Sequence, residues 1–201
     1  MGVYDLSHWI MKTFPFVWDS IEWMNSKLFA VRYRNRLETL GDVLKPFQGE
    51  YIVREAQPDD VERIVTFFKE QPEEAFTFFK PHAFDAKTIL KLIKRKSYLF
   101  FLVMKDDTMV GYFFLRCFAQ GKCFRGKIVD YRWRNKGIAK LMGKASTAVA
   151  QKLGLRIFGT ISKENVTSMA SAAAVNEIRI IKELPNDYLY IEYLPKQNDA
   201  S

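Results

Sequence analysis

The chain has few cysteines and no long uncharged apolar segment, and each shortage excludes a class of protein. Two cysteines among 201 residues are too few for a disulfide-stabilised scaffold, and their spacing is not that of a metal site. Cys117 and Cys123 flank a predicted turn, and we interpret them as reduced thiols of a cytoplasmic protein, with a disulfide between strands as the alternative. No secretory signal is evident, and no apolar run approaches the roughly 18 residues that a membrane span needs.

Acidic residues are also scarce relative to basic ones. The 31 Lys and Arg exceed the 23 Asp and Glu, which gives a formal charge of +8. This excess favours an acidic ligand or surface, such as a phosphorylated cofactor, a nucleotide-linked sugar or an anionic membrane. Nucleic acid is not favoured, because no recognition helix or aromatic sheet motif accompanies the charge. With 48% apolar and 27% charged residues, the composition is that of a folded protein with a polar tail at residues 197–201.

Residues 1–49 differ from the rest of the chain. They form its most aromatic part, are interrupted by Pro15, and contain a basic run at residues 32–36. We predict two helical pieces around the proline, which form a helical appendage. Its apolar side chains are interpreted as packing on the following domain or on a second subunit, which would give a homodimer. The alternative is peripheral membrane contact through residues 1–36, with tryptophans at the headgroups and arginines against anionic lipid.

Residues 50–196 are predicted to form one domain. Alternating and β-branched patterns predict strands at residues 51–55, 98–104, 109–118, 123–129, 155–161, 179–182 and 188–194. Apolar spacing and helix-start signals predict helices at residues 58–68, 85–93, 138–153 and 165–175. An antiparallel beginning, one central strand-to-helix crossover and a closing hairpin predict an α+β fold, with helices on both faces of a mixed sheet.

The most informative segment is residues 129–139, where a buried strand leads through a basic turn into a helix. A helix that starts at Gly137 leaves its first N–H groups unpaired and directs the positive end of its dipole at the turn. Such an end attracts phosphate, and glycine lets a ligand approach the backbone. The surrounding arginines and lysines add positive charge. The alternative is an ordinary surface connection, because a single glycine motif is weak evidence.

The pattern Arg134-x-x-Gly137-x-Ala139 resembles the R/Q-x-x-G-x-G/A acetyl-CoA motif of the GCN5-related N-acetyltransferases (GNAT), and residues 51–194 resemble that family in the order of their elements. The resemblance implies the family's central mixed sheet and the transfer of an acetyl group from acetyl-CoA to a primary amine. Asn165 resembles the family's cofactor-contacting asparagine, and a helix N-cap is its alternative role. The cofactor-binding residues that the resemblance implies are Ile128, Val129, Asp130, Tyr131, Arg134, Asn135, Lys136, Gly137, Ile138, Ala139 and Asn165.

Two catalytic groups that are common in the family have no counterpart in this sequence. Ala172 replaces the tyrosine that protonates the leaving thiolate. Either Ser168, Ser171 or water is the acid instead, or coenzyme A leaves as a thiolate. The strand before the turn lacks the usual glutamate base. Asp130 is its only carboxylate, and it is either that base or an anchor for a basic side chain of the turn.

His82 is the remaining catalytic candidate. The aromatic segment around it, residues 78–84, resembles that of acetyltransferases of polysaccharide assembly, which act on nucleotide-linked or lipid-linked amino sugars. A neutral imidazole is suited to removing a proton from a sugar ammonium, and a purely structural histidine is the alternative. Because the usual acid and base are missing, a catalytically silent acyl-CoA-binding module that tethers a partner or a membrane is the second hypothesis. We expect no metal site, and a cytoplasmic protein that is either free or peripheral to the inner face of the membrane.

Overall fold

The computed structural model describes residues 15–196, and from residue 19 onward also their side chains. One mixed sheet runs through this part of the chain. Its strands are β1 (Ile52–Glu55), β2 (Tyr98–Lys105), β3 (Thr108–Phe118), β4 (Lys122–Val129), β5 (Arg156–Ser162), β6 (Asn176–Leu184) and β7 (Tyr188–Pro195). The spatial order is β1-β2-β3-β4-β5-β7-β6. Only the β4–β5 pair of this sheet is parallel.

Helices cover both faces of the sheet. They are α1 (Pro15–Leu37), α2 (Leu40–Leu44), α3 (Val61–Lys69), α4 (Ala86–Ile93), α5 (Ile138–Leu153) and α6 (Val166–Ala173). Successive residues of a strand point to opposite faces, so Phe101 of β2 enters one core and Phe100 the other. The first core lies against α1, α2, α5 and α6, and the second against α3 and α4. The predicted α+β architecture is confirmed.

The N-terminal helix is more closely tied to the sheet than its aromatic composition indicates. Phe29 and Tyr33 of α1 are buried in the first core, together with Leu40 and Leu44 of α2. The sequence did not predict α2, a single short helix. The helical piece expected before Pro15 lies outside the described residues, and the boundary at residue 49 stays a prediction. None of the helices in residues 15–196 combines the length and apolar character that crossing a membrane requires.

The two cysteines lie directly opposite each other across an antiparallel pair. Cys117 of β3 is the register partner of Cys123 of β4. Both are free thiols and both are fully buried. Burial raises the pKa of the Cys117 thiol well above its ordinary value, so it stays protonated at neutral pH.

Candidate functional site

The two parallel strands at the centre of the sheet separate soon after they meet. They pair at three positions, from Lys122 with Arg156 to Phe124 with Phe158. Beyond these, residues 125–129 pair only with β3 and residues 159–162 only with β7. Two strand edges therefore face each other without hydrogen-bonding to one another. We call this space the gap, and it opens towards the carboxyl ends of both strands, where sheets containing parallel strands bind ligands.

The basic turn predicted from the sequence lies at the open end of the gap. A 3₁₀ helix, Tyr131–Trp133, follows β4, and α5 begins at Ile138. Gly137 is the N-cap of α5 and has a φ of 80°, a left-handed conformation that favours glycine. A Cβ at this position would have no protein atom within 4 Å. Glycine is required here for its backbone conformation, and the space beside it is open.

Six consecutive backbone N–H groups of this turn have no protein acceptor. The N–H groups of residues 134–139 donate to no atom of the described chain, 15–196. Residues 134–137 are exposed. These donors lie at the positive end of the α5 dipole, so the turn is a site for an anion. A diphosphate fits its donor set.

One basic side chain of the turn forms ion pairs with carboxylates of the protein, and the other three are available to a bound anion. Arg132 donates to Asp130 and to Glu70. Lys136 lies over the Trp133 ring, with Nζ 4.4 Å from the ring centroid. Arg134 and Lys140 are exposed, and neither they nor Lys136 form an ion pair within the described residues. Three cations can therefore reach an anion at the turn.

Asp130 is fully buried and holds the base of the turn together. Its carboxylate accepts from the backbone N–H and the guanidinium of Arg132, and from the Gln71 amide. Burial raises the pKa of Asp130, but these hydrogen bonds outweigh burial, and the net pKa is below its ordinary value. A carboxylate with a lowered pKa is a poor general base. The arrangement favours the anchoring role for Asp130, and its partner is Arg132.

The other candidates lie along both sides of the gap. Ile128 is buried and Val129 is partly buried on β4, and Tyr131 is exposed beyond the strand. Across the gap, Asn165 caps α6 by accepting from the Ser168 N–H at 3.0 Å. The Ser171 hydroxyl donates to the Ser168 carbonyl at 3.0 Å. The gap therefore brings the candidates on β4 close to those on α6.

Lys127 of β4 lies among the candidate site residues, and the sequence analysis missed it. Its Nζ donates to the Ala139 carbonyl at 2.8 Å and to Ser171 Oγ at 3.0 Å. It thus connects β4 with the first turn of α5 and with α6. Burial, with a smaller effect from nearby Arg125, lowers the pKa of Lys127 to about 7. The detectable signal was strand alternation, which places Arg125 and Lys127 on the same face as the apolar residues Cys123 and Val129.

His82 lies on the opposite face of the sheet, within the second core. Its Nδ1–H donates to the Ala83 carbonyl at 2.9 Å. Nε2 therefore accepts from the Tyr112 hydroxyl, 3.0 Å away. Phe68, Phe84 and Phe100 surround the ring, and burial lowers the pKa of His82 despite the Ala83 contact. The imidazole is neutral at pH 7, and both of its nitrogens are occupied.

The sequence matches no family model and no curated protein, but solved structures match the fold. The GNAT domain of S. lividans PAT aligns with a TM-score of 0.61 at 15% identity, over 70% of this chain and 88% of that domain. The PaiA N-acetyltransferase of Thermoplasma acidophilum, in complex with coenzyme A, gives 0.60 at 15% identity, over 73% and 99%.

A third match is a chimera of the spermidine N-acetyltransferase SpeG from Vibrio cholerae and hSSAT. It aligns with a TM-score of 0.56 at 19% identity, over 73% of this chain and 96% of the chimera. The chain has the GNAT fold. At these identities the similarity establishes the fold alone, and the chemistry has to be argued from the residues of the gap.

Proposed function

We propose that this protein is an N-acetyltransferase that transfers an acetyl group from acetyl-CoA to a primary amine. The observation that carries the proposal is the row of six unpartnered N–H groups, residues 134–139, at the mouth of the gap. The diphosphate of acetyl-CoA matches these donors. Its pantetheine arm contains amide groups, which can bond to a free strand edge such as residues 125–129 of β4.

The residues that would hold acetyl-CoA are those on the walls of the gap. Backbone groups of residues 128–131 would bind the arm, residues 134–139 the diphosphate, and Asn165 the arm from the side of α6. Acetyl-CoA would supply the activated acyl group. The protein would place that group between α6 on one face of β4 and the His82 segment on the other.

We propose that His82 is the base that removes a proton from the acceptor amine. Neutral at pH 7, the imidazole can take up a proton. Its Nε2 is bonded to the Tyr112 hydroxyl, and Tyr112 is the register partner of Ile128 beside the gap. In this proposal the Tyr112 hydroxyl, which is fully buried in the structure, would accept the proton of the amine and donate its own to the imidazole.

The acceptor that we propose is an amino sugar linked to a nucleotide or lipid diphosphate. Lys80, which belongs to the aromatic segment 78–84, and Lys94 and Lys96, which follow α4, are exposed, and the whole chain carries a charge of +8. These charges attract a diphosphate and repel a polycation such as spermidine. One structural neighbour is named as a spermidine N-acetyltransferase. Polyamines such as spermidine are therefore a less favoured class of acceptor for this protein.

Calorimetric titration with coenzyme A tests the cofactor site directly. Arg134→Glu places a negative charge beside the proposed diphosphate, and we expect at least a tenfold loss of affinity, about 1.4 kcal/mol. Lys152→Glu is the matched control, because Lys152 is exposed at the other end of α5. Equal affinity for the wild type and Arg134→Glu would contradict this placement of the cofactor.

Thiol release from acetyl-CoA with a panel of amines tests catalysis. We expect turnover with amino-sugar nucleotides and little with spermidine. Saturable coenzyme A binding without turnover on any amine would support the second hypothesis, an acyl-CoA-binding module.

We further propose that α1 contacts an anionic membrane surface. The helix buries the polar Glu22 and Ser26, while its outer face exposes apolar side chains: Trp23 is 61% exposed, Met24 54%, Leu28 55% and Val31 80%. Charged side chains interspersed among them, Lys27 and Arg32, are cations. Apolar residues flanked by cations match a surface of anionic lipid better than they match a protein. The protein would then be peripheral to the inner face of the membrane.

Sedimentation with liposomes tests this contact. We expect binding to vesicles with anionic lipid, weaker binding to zwitterionic vesicles, and loss of binding when Trp23, Leu28 and Val31 are changed to serine. Ile180→Ser is the control, because Ile180 is an exposed apolar residue of β6. A dimer in light scattering that the triple variant converts to monomer, without any lipid binding, would instead identify this face as a subunit interface.

A further inference from the structure

Lys127 occupies an unusual position for a lysine. Its stem runs under the first turn of α5, and its Nζ is fixed by the Ala139 carbonyl and by Ser171 Oγ. These two acceptors belong to the two helices that border the gap. The amine is therefore held at the place where β4, α5 and α6 come together.

This amine has no counter-charge. Within the described chain no Asp or Glu forms an ion pair with Lys127, and the charged neighbour that acts on it is another cation, Arg125. Lys127 is half-buried and Arg125 is buried. The Arg125 guanidinium lies over the Tyr193 ring, 3.7 Å from its centroid, and its Nη2 has no hydrogen-bond partner among residues 15–196. Burying an uncompensated charge is costly. Two neighbouring cations favour the formation of negative charge beside them.

We propose that Lys127 supplies the proton that the leaving thiolate of coenzyme A needs, and that Ser171 passes it on. This inference rests on the proposed acetyltransferase function. Lys127 gives a proton from Nζ to Ser171 Oγ, and Ser171 gives its own hydroxyl proton to the sulfur, which leaves with the electron pair of the broken carbon–sulfur bond. Lys127 becomes a neutral amine and regains its proton from water.

The surroundings of Ser171 fit this role. The next residue, Ala172, is buried and small, so no bulky side chain at that position competes for the sulfur. The Ser171 hydroxyl now donates to the Ser168 carbonyl, and rotation about its Cα–Cβ bond turns it towards the gap. With a pKa of about 7, Lys127 is partly protonated at neutral pH and releases its proton readily.

Ionisation of bound coenzyme A tests the proposal without any acceptor amine. The thiolate absorbs in the ultraviolet, and desulfo-coenzyme A gives the baseline. At about pH 6.5 Lys127 is largely protonated and its charge favours the thiolate, so we expect a several-fold larger thiolate fraction in bound than in free coenzyme A at that pH. Lys127→Met should abolish this difference. Lys127→Arg should retain it because the charge remains, and Lys122→Met, an exposed lysine of the same strand, should behave as the wild type.

Kinetics separate proton transfer from charge alone. With an accepted amine at saturation, kcat/KM for acetyl-CoA should fall above about pH 7, because Lys127 then loses its proton. Lys127→Arg cannot release a proton at these pH values, so we expect a loss of at least tenfold in kcat and no such alkaline decline. Ser171→Ala should lower kcat with little change in affinity for coenzyme A.

The outcomes distinguish the two proposals. Failure of the wild type to bind coenzyme A would overturn the proposed function. Normal binding of both coenzyme A and desulfo-coenzyme A, with the same thiol ionisation in the wild type and in Lys127→Met, would overturn the role of Lys127 alone. Full activity of Lys127→Arg would show that the charge suffices and that no proton is transferred.

Discussion

Two regions of this molecule handle polar groups in opposite ways. Where α1 meets the sheet, Glu22 is paired with Arg116, and Asn25 bonds both the Cys117 carbonyl and the Ala119 N–H. At the gap, neither a counter-charge for Lys127 nor an acceptor for the six N–H groups is present within residues 15–196. Groups that satisfy one another hold a fold together, whereas unsatisfied groups are available to a ligand. Substitutions where α1 meets the sheet should therefore lower the free energy of unfolding. Substitutions at the gap should mainly weaken ligand binding, and removal of Lys127 should raise the free energy of unfolding.

The largest effect is expected at Phe29, which is fully buried beneath α1. Phe29→Ala should lower the free energy of unfolding by about 3–5 kcal/mol, because it leaves a cavity in the first core. The adjacent Leu28→Ala removes an exposed side chain and should cost under about 0.5 kcal/mol. Urea denaturation measures both. Similar small losses would mean that α1 is not part of the folded unit.

Glu22→Gln should destabilise the α1 region by about 2–3 kcal/mol, because it removes the buried carboxylate that forms an ion pair with Arg116. Glu22 is 4% exposed, and the Arg116 side chain is 30% exposed, which keeps the effect below that of a fully buried pair. Glu38→Gln is the control, since Glu38 pairs with Arg34 at the surface and contributes little. An equal loss of unfolding free energy in the two variants would show that the buried ion pair contributes no more to stability than the exposed one.

At the gap, removal of a charged side chain should stabilise the fold instead of destabilising it. Lys127→Met should raise the free energy of unfolding at pH 6 by about 2 kcal/mol, since it removes a half-buried charge without a counter-charge among residues 15–196. Below about pH 7 the lysine is charged in both the folded and unfolded states, so the wild type bears the full cost. Between about pH 7 and 10.5 the unfolded chain binds more protons, so wild-type stability rises with pH.

The advantage of Lys127→Met should therefore fade over this range. Unfolding curves at pH 6, 8 and 10 measure the trend, with Lys122→Met as the unchanged control. A constant difference between pH 6 and 10 would show that Lys127 does not titrate in this window.

Gly137→Ala should have the smallest effect on stability, about 1 kcal/mol, because alanine is strained at a φ of 80°. No protein atom would clash with the new Cβ. The loss of coenzyme A affinity should be larger, at least tenfold, since a Cβ at residue 137 would occupy the open space through which the diphosphate approaches the backbone. Gly41→Ala, in α2 and equally free of contacts, should not weaken binding. Calorimetry measures both variants, and unchanged affinity of Gly137→Ala would argue against backbone recognition.

Much of the fold followed from local pattern. Apolar spacing and Gly154 located α5 to the residue, and alternation located β2, β3 and β4 within a residue or so. The turn was predicted because Gly137 and its basic neighbours act within a few residues of each other. The position of Asn165 at the start of α6 likewise needed only local capping chemistry.

Features that depend on distant contacts were not predicted. Lys127 becomes a site residue only when α5 and α6 bring the Ala139 carbonyl and Ser171 to it. His82 meets Tyr112 through packing of a loop on β3, 30 residues further along the chain. The direction in which α1 turns its apolar side chains was also missed, because Phe29 and Leu28 are equivalent by composition and are separated only by the sheet beneath them.

The placement of Cys117 and Cys123 has a practical consequence. They are the chain's only cysteines, and both are shut off from solvent. A disulfide reagent such as Ellman's should leave the native protein unlabelled, so colour in an enzyme assay would come from released coenzyme A alone. Once the chain opens, two further equivalents should react, and the same reagent then counts denatured molecules.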